Sequence, residues 1–292
     1  MTDMTDRILP PLALHGWYLL TQFVDLLPAE PDTDPEARTR RLEGLTDQLA
    51  AWEDLGEEGW SGLYRLVGGG SDYMLLHFRP TLDALGAVER ALRLHPASRD
   101  LAVGGDYVSV VELGLYGHTR ALVEQARSDG IEIPSGTWQT RVDELLREEG
   151  RKAYTRRRLH PRQPEGMPFV CFYPMNKRRN VGQNWYTLPL EDRARLMQEH
   201  GTTGRGYAGK VSQIISGSVG LDDWEWAVTL FSADPLHFKE LVTEMRYDEV
   251  TSVYGEFGSF WVGHRISTPA LSDELNGRQG PASHASPDAR TP

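Results

Sequence analysis

The sequence predicts an α+β fold made of two ferredoxin-like halves in one subunit. Three observations carry this. Segments of alternating apolar character and segments of helical period follow one another as β-α-β-β-α-β, and that order occurs twice. The halves share the order of elements rather than sequence identity, so each forms its own ferredoxin-like sheet and the two sheets can pack side by side. A length of 292 residues with 39% hydrophobic content supports one large domain or two of ordinary size. No apolar run approaches the roughly 20 residues that a membrane span needs.

Residues 1–13 read as an entry arm. Their sequence lacks a basic flank followed by an apolar core, so no secretory signal is expected. The first half covers residues 14–117. Trp17–Leu26 alternates as a strand, residues 28–35 form a loop, and Glu36–Leu55 is a charged, amphipathic helix. Gly59–Val67 and Tyr73–Phe78 read as strands joined by a GGGSD turn. Those glycines lie between strands and do not open a helix, which excludes a phosphate cradle. Thr81–Leu94 is helical and Tyr107–Leu115 is a strand. A connector, residues 118–166, carries helices near Arg120–Ser128 and Trp138–Glu149, then the basic run RKAYTRRRLHPR.

The second half covers residues 167–266. Phe169–Asn176 follows Pro168 and is rich in aromatics, as a strand is. Pro189 opens a helix over Leu190–His200, and Gly201 is expected to end it. Lys210–Ser216 and Glu225–Ser232 are strands. Asp234 and Pro235 open a helix reaching Arg246, and Gly258–Gly263 is the last strand. The tail, residues 267–292, is polar and rich in Pro, Ser and Ala, and is expected to be disordered and without a catalytic role.

Charge narrows the partners. A net charge of −11 argues against general binding to nucleic acid or anionic membranes. The single cysteine, Cys171, excludes an intrachain disulfide and fits a reducing cytoplasm. Within this acidic chain the stretch from Arg151 to Arg179 holds nine Lys and Arg against one acid, Glu165. Such a run is commonly a solvated linker. Its other use is recognition of a small polyanion, since Arg pairs bidentately with carboxylates.

Periodicity groups the candidate site. Alternation puts Phe169, Cys171, Tyr173 and Met175 on one strand face. Helical spacing puts Leu190, Ala194, Met197 and His200 together. Val211, Gln213 and Ile215 share a face of the next strand. A Tyr, a Met, a His and a Gln therefore converge on one cavity. On pattern alone the commoner fate of such a His or Tyr is a satisfied core position. An inward Gln is rarer, because a buried amide must be paired. The contents of the cavity stay open at this level.

Longer motifs speak to its contents. YPMNKRR begins at Tyr173 and NWY at Asn184. LM-x-x-HG-x-x-GR-x-Y-x-GKV-x-Q runs from Leu196 to Gln213. GSVGLDDWEW-x-VTLFS-x-D begins at Gly217, and EMRYDEV-x-x-x-YGEFGSFWVG ends at Gly263. Together they resemble the coproheme decarboxylases, peroxide-dependent enzymes of haem biosynthesis within the chlorite dismutase superfamily. The close match covers roughly Arg158–Gly263, and the first half is similar only in layout.

The resemblance implies paired ferredoxin-like halves, a ring-shaped homopentamer and a specific chemistry. Iron coproporphyrin III (coproheme) is substrate and serves as its own cofactor, with no other metal. Hydrogen peroxide is the oxidant, two propionates become vinyls, and haem b is the product. His200 matches the iron ligand, whose second ring nitrogen then needs an acceptor. Tyr173 matches the radical-forming catalytic Tyr, and Pro174, Met175, Asn176 and Lys177 follow it in the substrate-contacting run. Arg158 matches the Arg of the family's RLYP segment, here RLHP with one extra residue before the strand. Gln213 matches the distal Gln, and Thr251 stands where relatives commonly have a Ser. Arg246 is a further candidate cation. A transient contact with the coproporphyrin ferrochelatase is implied as well. Two rivals remain: a chlorite dismutase, which places an Arg where this chain has Gln213, and a non-enzymatic haem-binding or haem-sensing protein.

Overall fold

The computed structural model describes residues 9–275. The first half comprises β1 (Ala13–Leu26), α1 (Pro35–Trp52), β2 (Trp60–Leu66), β3 (Tyr73–Arg79), α2 (Leu82–Leu94) and β4 (Leu101–Gly114). Local chemistry sets its boundaries. The Asp34 carboxylate caps α1 by accepting from Glu36 N, and the Thr81 hydroxyl caps α2 by accepting from Ala84 N. Gly68, Gly69 and Gly70 turn the chain between β2 and β3 with φ of 74, 78 and 85°, a region that favours glycine. The connector folds into α3 (Tyr116–Ser128), α4 (Gly136–Arg151) and α5 (Ala153–Leu159).

The second half comprises β5 (Phe169–Lys177), a small hairpin of β6 (Arg179–Asn180) and β7 (Gln183–Asn184), then α6 (Leu190–Gly206), β8 (Val211–Gly217), β9 (Trp226–Ser232), α7 (Leu236–Met245), α8 (Glu249–Tyr254), β10 (Gly255–Phe257) and β11 (Trp261–Arg265). A last helix, α9 (Thr268–Leu275), follows.

Strand order is β2-β3-β1-β4 in the first half and β11-β5-β9-β8 in the second, the same ferredoxin-like order twice. The two sheets do not merely lie side by side. Val110 and Val111 of β4 pair with Gly217 and Ser216 of β8, while Tyr64–Leu66 of β2 pairs with β11. These junctions close one antiparallel barrel of eight strands, which leaves few free edges.

Alternation then sorts side chains between two environments. Trp17, Phe23, Trp60, Tyr64, Phe78, Phe172 and Phe231 fill the barrel interior. Cys171 and Tyr173, one residue out of phase with Phe172, face outward beneath α7. The connector seals one end: Trp60 Nε1 donates to Pro161 O at 2.8 Å, and the Arg162 guanidinium lies 4.9 Å from the Trp17 ring. No helix among the described residues is long and apolar enough to cross a membrane.

Several expectations need correction. The helix bearing His200 does not stop at Gly201 but continues to Gly206. Its interior glycines weaken it by about 1 kcal/mol each, yet Gly204 serves packing, as shown below. The segment after Ser267 is not wholly structureless: Leu271 is buried, Leu275 packs partly buried against the same cluster, and the two stand one helical turn apart beside α1. The polar composition of the tail hid that pair, and residues 276–292 lie outside the described residues. The arm is also partly built in, since Leu9 and Leu12 pack against α3 and α4. The hairpin β6–β7 and the short helices α5 and α8 carry too few residues to show a period.

Candidate functional site

The outer face of the second sheet, with α6, α7 and α8 over it, assembles most of the expected side chains. Tyr173 and Met175 on β5 share this face with Val211 and Ile215 on β8. Gln213, between those two in the alternation, reaches toward α6. A β-carbon at Gly204 would lie 3.6 Å from Gln213 Nε2 and 3.3 Å from Met245 Cε, so the glycine brings β8, α6 and α7 into close contact.

Tyr173 is buried, stacked on Phe260 with ring centroids 4.4 Å apart, and edged by Phe257 at 5.9 Å. Burial pushes its phenol well above the usual range. The nearby Cys171 adds to the rise and the Arg246 guanidinium opposes it. The hydroxyl hydrogen is thus retained throughout the neutral range. Arg246 lies 4.0 Å from the centroid of the Phe257 ring, which bridges it to Tyr173. The thiol of Cys171 is pushed up to about 12 by burial, the mark of an inert apolar filler.

His200 stands one helical turn before Gly204 on α6. Its Nδ1 lies 2.7 Å from Asp248 Oδ2, and its side chain keeps 28% of its surface exposed. Asp248 is itself fixed as the cap of α8: its Oδ1 accepts from Thr251 N at 2.7 Å. Burial is the largest single effect on the Asp248 carboxyl and pushes it up, but the hydrogen bonds from His200 and Thr251 and the adjacent imidazole together outweigh it and hold the carboxyl below its usual range. An ionised carboxylate on Nδ1 selects the tautomer with the proton there and leaves the Nε2 lone pair free. An iron porphyrin brings four equatorial nitrogens of its own, and one such imidazole is the protein donor it needs. The residues therefore fit the group. Thr251 enters the set through Asp248.

Lys177 is the member of the basic belt that the fold takes inside. Only 8% exposed, it holds Nζ 4.7 Å from the Trp185 ring centroid. Burial lowers its ammonium to about 8, while Asp248 and Glu225 pull the other way. Glu225 also anchors the strand end, since Lys177 N donates to its Oε2 at 2.8 Å.

Three expected contacts stand apart. Pro174 and Asn176 alternate onto the opposite face of β5. Pro174 pairs in register with Ala227 of the barrel interior, and the Asn176 side-chain oxygen accepts from Glu225 N at 2.8 Å. Arg158 lies on the exposed face of α5, where Nη1 donates to Tyr154 OH at 3.1 Å. Asp248, Glu225, Trp185, Phe257 and Phe260 were not singled out from the sequence. An Asp three residues before Thr251 at the head of a short helix is a capping signature, and it was the one available signal.

Comparison with known proteins bears on this geometry. The chlorite dismutase family model matches residues 38–266. The chain belongs to the chlorite dismutase family. Among members, a coproheme decarboxylase of Thermus thermophilus is 42% identical over 265 residues, covering 90% of this chain and 95% of that protein. One of Staphylococcus carnosus is 40% identical over 262 residues, covering 88% and 95%. A longer relative from Natronomonas pharaonis is 40% identical over 266 residues, and the chain spans 41% of its length. The solved structure of a haem-binding protein from Thermus thermophilus superposes with a TM-score of 0.76 at 40% identity, covering 92% of this chain and 99% of that one. A variant of chlorite dismutase from Candidatus Nitrospira defluvii shares the fold at a TM-score of 0.64 and 18% identity, covering 90% and 96%.

Proposed function

We propose that this chain is a coproheme decarboxylase, converting two propionates of iron coproporphyrin III to vinyls with hydrogen peroxide as oxidant. Each propionate loses its carboxyl as carbon dioxide and one hydrogen from the neighbouring chain carbon, while one peroxide is reduced to water. The bound iron macrocycle supplies the oxidising chemistry, and the protein supplies ligation and position. The observation that carries the proposal is that the second half holds both a buried Tyr173, stacked on Phe260 and keeping its phenolic hydrogen, and an imidazole, His200, held on Nδ1 by Asp248.

His200 would hold the iron through Nε2. Tyr173 would be the hydrogen-transferring group beside the propionate, its phenolic hydrogen being the one the oxidising chemistry of the bound macrocycle draws on. The Phe260 stack and the Arg246–Phe257 pair hold its ring in place. Lys177 receives a propionate carboxylate, which raises its lowered pKa and keeps it charged. Arg158, exposed on α5, receives another. Met175 and Gln213 contact the bound substrate; Pro174 and Asn176 support the strand through the opposite face, and Thr251 supports His200 through Asp248. The enzyme works as a cytoplasmic homopentamer that meets the coproporphyrin ferrochelatase in passing.

Adding iron coproporphyrin III and peroxide to the protein, followed by mass spectrometry of the porphyrin, tests this. The expected result is two sequential decarboxylations ending in haem b. Tight binding without mass loss would favour a haem sensor. Rapid oxygen release from chlorite by the haem-loaded protein would favour a chlorite dismutase.

A further inference from the structure

A large cavity lies away from His200. It encloses about 550 Å³ on the outer face of the first sheet, between β1 and β3 beneath and α1, α2 and α9 above. That volume lies in the range of small-molecule sites, which run from about 300 to 1,000 Å³. Its walls are apolar, with Leu45, Leu63, Leu75, Leu92 and Leu271 among them, and it shares no residue with the Tyr173–His200 set.

Tyr73, Glu89, Arg93, Ser98 and Asp106 form a less buried polar rim, and among the buried wall residues one breaks the apolar pattern. Gln22 on β1 lines the cavity, is only 3% exposed, and its amide oxygen has no hydrogen-bond partner among the described residues. Leaving such a group unpaired costs about 1–3 kcal/mol, and Leu in its place would fill the wall without that penalty. Rotation about its terminal torsion turns either amide end to the cavity. The rim defines the rest of the chemistry. Asp106 of β4 stands opposite Gln22 in register, and Arg93 is already ion-paired with Glu89. A carboxylate ligand would thus meet two acids and one engaged cation. A hydroxyl can donate to one end of the Gln22 amide or accept from the other, and it carries no charge to be repelled.

We propose that this cavity binds a small apolar alcohol, its hydroxyl paired with Gln22 and its body enclosed by the leucines. Helix α9 forms the lid. It contributes Leu271 and Leu275 to the wall and is held from outside by Glu274, which accepts from Tyr73 OH at 3.1 Å and pairs with Arg65.

The test is calorimetric titration of the full chain with 1-naphthol, naphthalene and 1-naphthoate, without and with saturating coproheme and no peroxide. 1-Naphthol should bind once per chain in both states and about tenfold more tightly than either analogue. Gln22→Leu should fold, keep naphthalene affinity and lose the preference for the alcohol. Leu45→Trp should fill the cavity and abolish binding. Hydrogen exchange on the parent protein gives an independent reading, because 1-naphthol should protect α9 and α1 and leave α6 unchanged. Absence of 1-naphthol binding, protection at α6 instead of α9, or an alcohol preference that survives Gln22→Leu would each overturn the proposal. Coproheme binding and decarboxylation by Gln22→Leu should match the parent, so failure of this site is distinguishable from failure of the enzymatic reading.

Discussion

The two halves use one element order to opposite ends, and a histidine in each shows how. His77 lies on the outer face of the first sheet, fully buried beneath Trp52, with Nδ1 2.8 Å from Ser61 Oγ. Burial, and then the adjacent Arg79, push its imidazole down to about 3. It is a neutral core residue. His200 lies on a helix over the second sheet, is part exposed, and faces a carboxylate instead of a hydroxyl. A charged acceptor orients the ring and would strengthen it as a donor toward iron, the role proposed for it, whereas the Ser61 hydroxyl only pairs His77 Nδ1 inside a packed sheet, and the buried Nε2 has no partner among the described residues. The cover differs in kind as well. Helix α1 drives Leu42, Leu45 and Leu49 into its half, while α6 presents Gly201 and Gly204 beside His200.

The largest expected break in this comparison is His200→Ala. Coproheme binding should weaken by orders of magnitude and the ferric absorption spectrum should change, while His77→Ala should leave the spectrum alone and lower thermal stability. An unchanged spectrum in His200→Ala would remove the contrast between the two histidines.

Asp248→Asn sharpens it. The neutral amide no longer selects the Nδ1–H tautomer, so iron affinity or activity should fall by about 10–100-fold, with the fold retained because Asn still caps α8. Equal coproheme affinity and rate in this variant would show that Asp248 is only a cap.

Lys177 gives a smaller and pH-dependent effect. Its folded pKa of about 8 means that it is charged below that value and neutral above it. Affinity for coproheme should therefore fall as pH rises through about 8, and binding there should take up a proton, since a propionate raises the lysine pKa. Lys177→Met should bind about tenfold more weakly at neutral pH and show a flat profile. A parent profile already flat through that range would contradict the role.

The smallest effect concerns Gln213. A neutral amide lacks the fixed charge that holds chlorite and its products at iron, so oxygen release from chlorite should be slow. Gln213→Arg should raise it modestly, as followed with an oxygen electrode.

Much of this was legible in the sequence because it rests on short-range periodicity. Period-two alternation placed Tyr173 and Met175 together and set Phe172 against them. The repeated element order gave the ferredoxin-like halves. What escaped depends on contacts distant in sequence or on exceptions to local rules. Barrel closure rests on two short junctions, such as Val110 with Gly217, that no pattern in either strand announces. The end of α6 was misplaced because Gly201 reads as a stop while tertiary packing carries the helix on. Asp248 was missed because 48 residues separate it from His200. Pro174 and Asn176 were grouped with Tyr173 by motif, although alternation alone puts them on the other face.

Tyr173→Phe bears on the central claim most directly. Phenylalanine keeps the ring, the Phe260 stack and most of the packing, and removes only the phenolic hydrogen. Coproheme should bind to the variant with parental affinity and spectrum, yet single-turnover reaction with peroxide should yield no haem b by mass spectrometry, the pattern of a group that acts in the transition state. Normal formation of haem b would show that Tyr173 is a packed core aromatic and that oxidising equivalents reach the propionates by another route.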